Sequence, residues 1–175
     1  MRLETERLVI RPLEERDADA WIEMLGDPEV RRFLPDFPPP KRDSVPDAIE
    51  RRNRLERERG HTMWAVATKM DDRFIGQCGL VPVEGEGPEI EIAYHYRPDS
   101  WGHGYATEAA VAVLSYGFDR VQLNRIIAVV MPDNVGSSRV LEKAGMRFEG
   151  LATYYGFDGV KKYVADREWW RPPDQ

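Results

Sequence analysis

Apolar residues recur along this chain at two different spacings, and the changes of spacing mark its elements. Arg7 to Leu13 (RLVIRPL) reads as a short strand. Asp17 then stands where it can cap a helix that carries Ala18, Trp21, Ile22 and Leu25 on one face, and Gly26-Asp27-Pro28 ends that helix. Pro38-Pro39-Pro40 reads as a loop. Ser44 to Arg59 is predicted as a second helix, highly charged, whose thin apolar stripe of Val45, Ala48, Ile49 and Leu55 leaves much of its surface to solvent. From His61 the period becomes that of strands: Thr62 to Lys69, Arg73 to Pro82 and Glu89 to Tyr96, with hairpin connections at Asp71-Asp72 and Glu84-Gly85-Glu86-Gly87-Pro88.

A glycine-containing loop, Ser100 to Ala106, follows and opens a helix predicted from about Thr107 to Arg120. Arg125 to Met131 forms the next strand, and a helix from Val135 to Ala144 has Asn134 as its cap and Gly145 as its terminator. Phe148 to Tyr154 and Val160 to Glu168 read as a closing hairpin around Asp158-Gly159, before Trp169, Trp170 and a proline-rich tail. Strand, crossover helix and strand in succession make the Glu89 and Arg125 strands parallel neighbours, with the glycine loop at a strand's carboxyl end. The predicted class is α+β, with a mixed, mainly antiparallel sheet flanked by helices.

Composition narrows what such a chain can do. Its 175 residues are 42% hydrophobic and 32% charged, which suits one domain spanning residues 1–175. A chain of this length buries roughly 70% of its unfolded surface, so it needs no disulfide or structural metal. Cys78 is the only cysteine and His61, His95 and His103 are scattered, so no metal site is expected. A net charge of -6 speaks against a general nucleic-acid binder and leans slightly toward cationic partners. The longest uncharged apolar stretch, between Glu108 and Asp119, is far short of the ~20 residues that span a bilayer. The charged, interrupted N-terminus lacks a signal peptide's apolar run, and the expected compartment is the cytoplasm.

The Ser100–Ala106 loop carries the candidate chemistry. A strand that delivers a glycine-rich loop into a helix start aims several backbone N–H groups one way, together with the positive end of the helix dipole, which makes an anion site. Gly102 and Gly104 allow close approach of a phosphate or pyrophosphate, and Ala106 is the next smallest choice. The same glycines also serve a reading in which they only form the turn. A dinucleotide fingerprint fits worse, because Thr107 replaces its third glycine and the loop follows two hairpin strands instead of opening a βαβ unit.

Trp101-Gly102-His103-Gly104-Tyr105-Ala106-Thr107-Glu108-Ala109 resembles the acetyl-CoA pyrophosphate loop of the GNAT superfamily of N-acetyltransferases. Three other segments agree in order and spacing: Glu4-Thr5-Glu6-Arg7-Leu8-Val9-Ile10-Arg11-Pro12-Leu13, Ile75-Gly76-x-x-Gly79-Leu80, and Asn134-x-x-Ser137 through Leu141-Glu142-Lys143-Ala144-Gly145-Met146. The resemblance covers nearly the whole chain and is closest to the branch that contains the N-terminal acetyltransferases of ribosomal proteins. It departs at Trp101, where the superfamily has Gln or Arg, and at Leu141, where many members carry a tyrosine that protonates the leaving thiolate.

The resemblance implies a single-domain fold whose sheet splays between its fourth and fifth strands, the Glu89 and Arg125 strands, with the pantetheine arm of acetyl-CoA between them. His95, Tyr96 and Arg97 would lie nearest that arm, and a backbone N–H there, from Tyr96, would bind the thioester oxygen and its oxyanion. Gly102, His103, Gly104, Tyr105, Ala106 and Thr107 would hold the pyrophosphate, and Asn134 would bond the pantetheine amide besides capping its helix. Ser137 would reach the CoA sulfur and pass it a proton, with Ser138 as the backup. Arg139, Lys143 and Arg97 could meet the adenosine-end phosphates, although solvated charge serves equally for all three.

The acceptor implied is a primary amine, attacking directly as the neutral base. At pH 7 an α-amine has ~400 times the neutral fraction of a lysine amine. Such an acceptor needs only a weak base, and Glu91, which shares its strand face with Glu89 and Ala93, is the carboxylate nominated to drain the proton through water. A solvated strand carboxylate is its alternative reading. The segment from Pro28 to Arg42 would wall the acceptor side, leaving peptide N-termini and small amines open as acceptors. The expected partners are acetyl-CoA and that amine, without nucleic acid or membrane, and with room for a homodimer. The competing function is a non-catalytic acyl-CoA sensor or regulatory module of the same fold, which Leu141 keeps in play.

Overall fold

The computed structural model describes residues 1–35 and 38–173. Asp36 and Phe37, within the expected acceptor-side segment, lie outside the described residues, as do Asp174 and Gln175. The elements run β1 (Leu3–Glu4), β2 (Leu8–Arg11), α1 (Ala18–Gly26), α2 (Pro28–Arg31), α3 (Val45–Arg59), β3 (Met63–Thr68), β4 (Phe74–Pro82), β5 (Ile90–Tyr96), α4 (Tyr105–Asp119), β6 (Arg125–Val130), α5 (Val135–Lys143), β7 (Arg147–Tyr154) and β8 (Phe157–Asp166). The eight strands make one sheet in the order β1-β2-β3-β4-β5-β6-β8-β7. Every pairing is antiparallel except β5 with β6, the parallel neighbours that the strand-helix-strand succession requires.

Strand alternation assigns the two faces. Trp64, Val66, Cys78, Leu80, Ile92 and Tyr96 bury one face against Ala109, Val113 and Leu114 of α4. The opposite face carries Ala65 and Gln77, and is covered by Trp21, Met24, Leu25, Val30, Val45 and Ala48 of the first three helices. The charged α3 reaches the core through Val45 and Ala48, and also lays Arg52 over Trp21 and Glu56 against the Trp64 indole N–H. Gly76 and Gly79 are set by close approach. A Cβ on Gly76 would meet the carbonyl oxygen of His95 and the ring of Tyr96 at 2.5 Å, and one on Gly79 would run into the backbone of Thr62.

Several local expectations are corrected. Asp17 does not cap α1 with its side chain. Its carboxylate instead takes both terminal nitrogens of Arg11, at 2.7 and 2.9 Å, and accepts from the Glu14 N–H at 3.0 Å. A buried guanidinium out-competes a helix N–H for a carboxylate because both charges would otherwise lie desolvated and alone. Helix α4 starts at Tyr105, two residues early, because Gly104 in the left-handed conformation (φ 81°) turns the chain straight into it.

The closing hairpin turns at Tyr155-Gly156, not Asp158-Gly159. Tyr154 pairs with Phe157, and both turn residues have positive φ, 54° and 75°, the two-residue geometry that matches strand twist. Asp158 instead lies within β8 and accepts from Thr153 Oγ1 at 2.6 Å. The short β1 and α2 have too few residues to show a period.

The Arg11–Asp17 pair generates a stability prediction. Both side chains are nearly inaccessible, so Arg11→Ala leaves a buried carboxylate without its partner and should cost about 3–5 kcal/mol in urea unfolding. A doubly apolar replacement, Arg11→Met with Asp17→Leu, should recover much of that loss.

Candidate active site

Glu91 with Ile127 is the one register pair that joins β5 to β6. Beyond it the strands part, and a cleft of about 770 Å³ opens between them, lined by β5, the end of β6, the Ser100–Thr107 loop and the first turns of α5. On its other side Val30, Phe33, Leu34 and Pro35 form an apolar wall, within the segment expected to face the acceptor. The Arg97 N–H bonds the Ile75 carbonyl of β4 at 3.0 Å, so alternation along β5 turns the Tyr96 N–H toward the gap.

The glycine loop stands at the cleft's edge, with Gly102 and Gly104 both at positive φ, 77° and 81°. Its position is fixed from the N-terminal segment. Glu108, in the first turn of α4, accepts from Thr5 Oγ1 at 2.5 Å, the Arg7 N–H at 2.8 Å and Arg7 Nε at 2.7 Å. Arg7 also donates to the His103 carbonyl at 2.9 Å, and its guanidinium lies 4.9 Å from the centre of the Tyr105 ring. Trp101 donates its indole N–H to the Tyr96 carbonyl at 2.9 Å, tying the loop to the end of β5. At the opposite lip, Asn134 Oδ1 caps α5 by accepting from the Ser137 N–H at 3.0 Å.

The two faces of β5 supply different chemistry. On the face toward α5, the Tyr94 hydroxyl lies 2.8 Å from Ser137 Oγ, and burial holds its phenol well above the ordinary tyrosine range. On the other face lie Glu91, Ala93 and His95, all lining the cleft. Glu91 is 6% exposed, which overturns the solvated alternative, and burial pushes its carboxyl up to about 7 against the opposing effect of the Tyr155 hydroxyl that donates to it. His95 is pushed down to about 4 by burial and by the Arg52 cation, so its imidazole is neutral at ordinary pH.

The structure therefore brings Glu91, His95, Tyr96, Asn134, Ser137, Gly102, Gly104, Tyr105, Ala106 and Thr107 around one cleft, and Arg139 and Lys143 border it as well. It does not bring Arg97, whose guanidinium pairs with Glu23 at 2.8 Å and whose N–H is spent on β4. The His103 ring is turned onto Tyr105, stacked at 5.6 Å, and is not among the cleft-lining groups. Ser138 is buried and does not line the cleft, unlike Ser137. Leu141 lines the cleft and is fully buried there.

Sequence reasoning missed Tyr94 as a partner of Ser137, Tyr155 as the partner of Glu91, and Gln77, which lies 2.8 Å from the His95 ring. Only Gln77 left a local trace, as a polar residue inside an apolar strand. Among the described residues no group of three or more His, Cys, Asp or Glu side chains could hold a metal ion, and no helix is long and apolar enough to cross a membrane.

Comparison with known proteins fits this geometry to a family. The pattern of the family described as an acetyltransferase (GNAT) domain matches residues 7–147, which include the loop, β5, β6 and α5. The chain belongs to the GNAT acetyltransferase family. It is an acyltransferase with the mixed, mainly antiparallel GNAT fold. This acetyltransferase is 35% identical over 153 residues to the uncharacterized N-acetyltransferase p20 of Bacillus licheniformis, covering 87% of this chain and 86% of p20. It is 28% identical over 162 residues to the ribosomal protein uS5-alanine N-acetyltransferase of Escherichia coli, covering 89% and 82%. The structure of Mycobacterium smegmatis RimJ in complex with CoA-disulfide superposes with a TM-score of 0.75 at 25% identity, covering 94% and 85%.

The raised Glu91 carboxyl generates a prediction about the acetyltransferase's stability. Because its folded pKa of about 7 lies above the ordinary 4.5, the native state holds a proton that the unfolded chain releases between those values. Stability should therefore fall as pH rises through that window, by an amount on the order of 3 kcal/mol. Glu91→Gln, which can still accept from Tyr155, should match the wild type in urea unfolding at pH 4.5 and exceed it at pH 8.

Proposed function

We propose that this enzyme transfers the acetyl group of acetyl-CoA to a primary amine, a protein N-terminus or a small-molecule amine, by direct attack on the thioester. The observation that carries this reading is the single-pair junction of β5 and β6, which leaves an opened strand edge running from the glycine loop at the start of α4 to the Tyr94–Ser137 hydroxyl pair. Backbone N–H groups of the loop and the dipole of α4 suit a pyrophosphate. The free edge of β5 suits an extended arm that carries amides of its own. That RimJ of Mycobacterium smegmatis binds a CoA species, in a protein of the same fold, supports the same ligand here.

In this reading the amine enters along the face of β5 that carries Glu91 and His95, below the apolar wall of α2 and the segment after it. The acceptor nitrogen forms its bond to the thioester carbonyl carbon and gives up a proton, which Glu91 receives through water. A carboxylate with a pKa near 7 is half ionised at neutral pH and holds a proton well enough to act as a base. The Tyr96 N–H binds the oxyanion. As the carbon–sulfur bond breaks, Ser137 gives its proton to the sulfur and takes one from the Tyr94 hydroxyl 2.8 Å away, which regains its own from solvent as the proton held by Glu91 is released. The reaction belongs to the cytoplasm in this proposal, and needs no metal.

Gly104→Val should weaken CoA binding at least tenfold by calorimetry, because a β-branched residue at φ 81° is strained and Arg7 Nη2 would lie 3.4 Å from its Cβ. Unchanged affinity would remove the loop from the site. Ser137→Ala should lower kcat about 100-fold with CoA affinity within a few fold, as expected for loss of a general acid. Tyr94→Phe should retain part of that rate, since Ser137 keeps its own proton. Thiol release and mass-spectrometric detection of the acetylated amine read both variants.

A further inference from the structure

The buried hydrogen bonds beneath the cleft floor determine which proton His95 carries. Gln77 Oε1 accepts two bonds, from the Trp21 indole Nε1 at 2.9 Å and from Arg52 Nη2 at 2.8 Å. Both partners can only donate, so the side-chain amide of Gln77 has one allowed orientation, with its NH₂ turned away from them. That NH₂ lies 2.8 Å from His95 Nδ1. A donor facing Nδ1 makes Nδ1 the acceptor, so in the neutral ring the proton sits on Nε2. Arg52 lies 4.8 Å from the centre of the Trp21 ring, so one aromatic and one cation hold the whole relay in register.

We propose that His95 is a specificity-determining hydrogen-bond donor, its Nε2–H set by the Gln77–Arg52–Trp21 relay to hold a carbonyl oxygen of the acceptor, so that the preferred amines are those with a carbonyl beside the amine, as in a peptide N-terminus. This deepens the amine-acceptor reading and rests on it. Two observations place the donor on the side proposed for the acceptor. His95 shares its β5 face with Glu91, the nominated base, while Tyr94 and Ser137 lie on the other face. The apolar wall of Val30, Phe33 and Leu34 stands on the same side of the cleft. In the proposed transfer the Tyr96 N–H serves the thioester oxygen, which leaves the imidazole for a second oxygen. Burial and the nearby Arg52 keep the ring neutral, so this donor does not titrate near neutral pH.

Replacing Gln77 by Glu inverts the relay without emptying its space. A carboxylate accepts from Trp21 and Arg52 as before, but it also accepts from His95, which moves the ring proton to Nδ1 and turns Nε2 into an acceptor. The probes are alanine amide and a fluoroalkylamine of matched amine pKa that lacks the carbonyl. Nitrogen-15 NMR of the CoA-saturated wild type should show His95 protonated at Nε2, with that signal shifting on titration with alanine amide and not with the fluoroalkylamine. Gln77→Glu should move the proton to Nδ1 and abolish the shift.

In steady-state assays the wild type should favour alanine amide at least tenfold in kcat/KM, mainly through KM. Gln77→Glu and His95→Phe should each bring the two amines within about twofold, with the loss falling on KM for alanine amide. Protonation at Nδ1 in the wild type, or an undiminished preference in folded Gln77→Glu, would overturn the inference. If neither amine is acetylated while the Nε2 shift persists, the transfer reading fails and the carbonyl-binding donor stands.

Discussion

A parallel pair of strands joined at one register position is the constraint on which the site depends. Antiparallel neighbours hold every other seam of the sheet, so the opening can occur only where β5 meets β6. One side of that seam is fixed to β4 along seven register pairs, and the other to β8 along six. The edges at the gap are therefore rigid even though they are unpaired with one another. Backbone N–H groups left without a strand partner have to be satisfied by water or by a ligand.

Around that gap polar groups are arranged in short hydrogen-bonded chains. Thr5, Arg7 and Glu108 lock the glycine loop against the N-terminal strands. Trp21, Arg52 and Gln77 orient His95 from below. Tyr155 comes across from the turn of the last hairpin to hold Glu91, and its own N–H donates to Glu84 Oε1 at 2.5 Å. Each chain gives a polar group near the cleft partners drawn from distant parts of the sequence. The carboxyl of Glu91 and the imidazole of His95 are driven in opposite directions by the same burial, one up to about 7 and the other down to about 4, because burial favours whichever form carries no charge.

What the sequence determined by itself was most of what depends on neighbours within a few residues or on the order of the elements, the Asp17 cap, the start of α4 and the last hairpin turn excepted. The strand period of β3 to β5, the glycines before α4, Asn134 at the start of α5 and the succession of strand, helix and strand were each legible, since 3.6 and 2.0 periodicity and capping chemistry are local properties. The parallel seam followed from connection rules alone. The loop's residues, together with Glu91, Tyr96, Asn134 and Ser137, could be nominated on that basis and by resemblance.

Only the tertiary structure decided which of those nominees share a cleft and what each one carries. Arg97 is adjacent to Tyr96 in sequence yet turns to Glu23, and His103 sits within the loop yet stacks on Tyr105, because a side chain's direction is set by the partners that surround it. Asp17 looked like a cap until a buried Arg11 six residues earlier claimed its carboxylate. Glu91 and His95 could be nominated from the strand, but not the burial that drives their protonation, nor the groups that modify it: Tyr155, which opposes burial at Glu91, lies 64 positions later, and Arg52, which adds to it at His95, lies 43 positions earlier. A carboxylate's solvation and an imidazole's tautomer depend on what packs within hydrogen-bonding distance of them, and for these residues that is contributed almost entirely by chain distant in sequence.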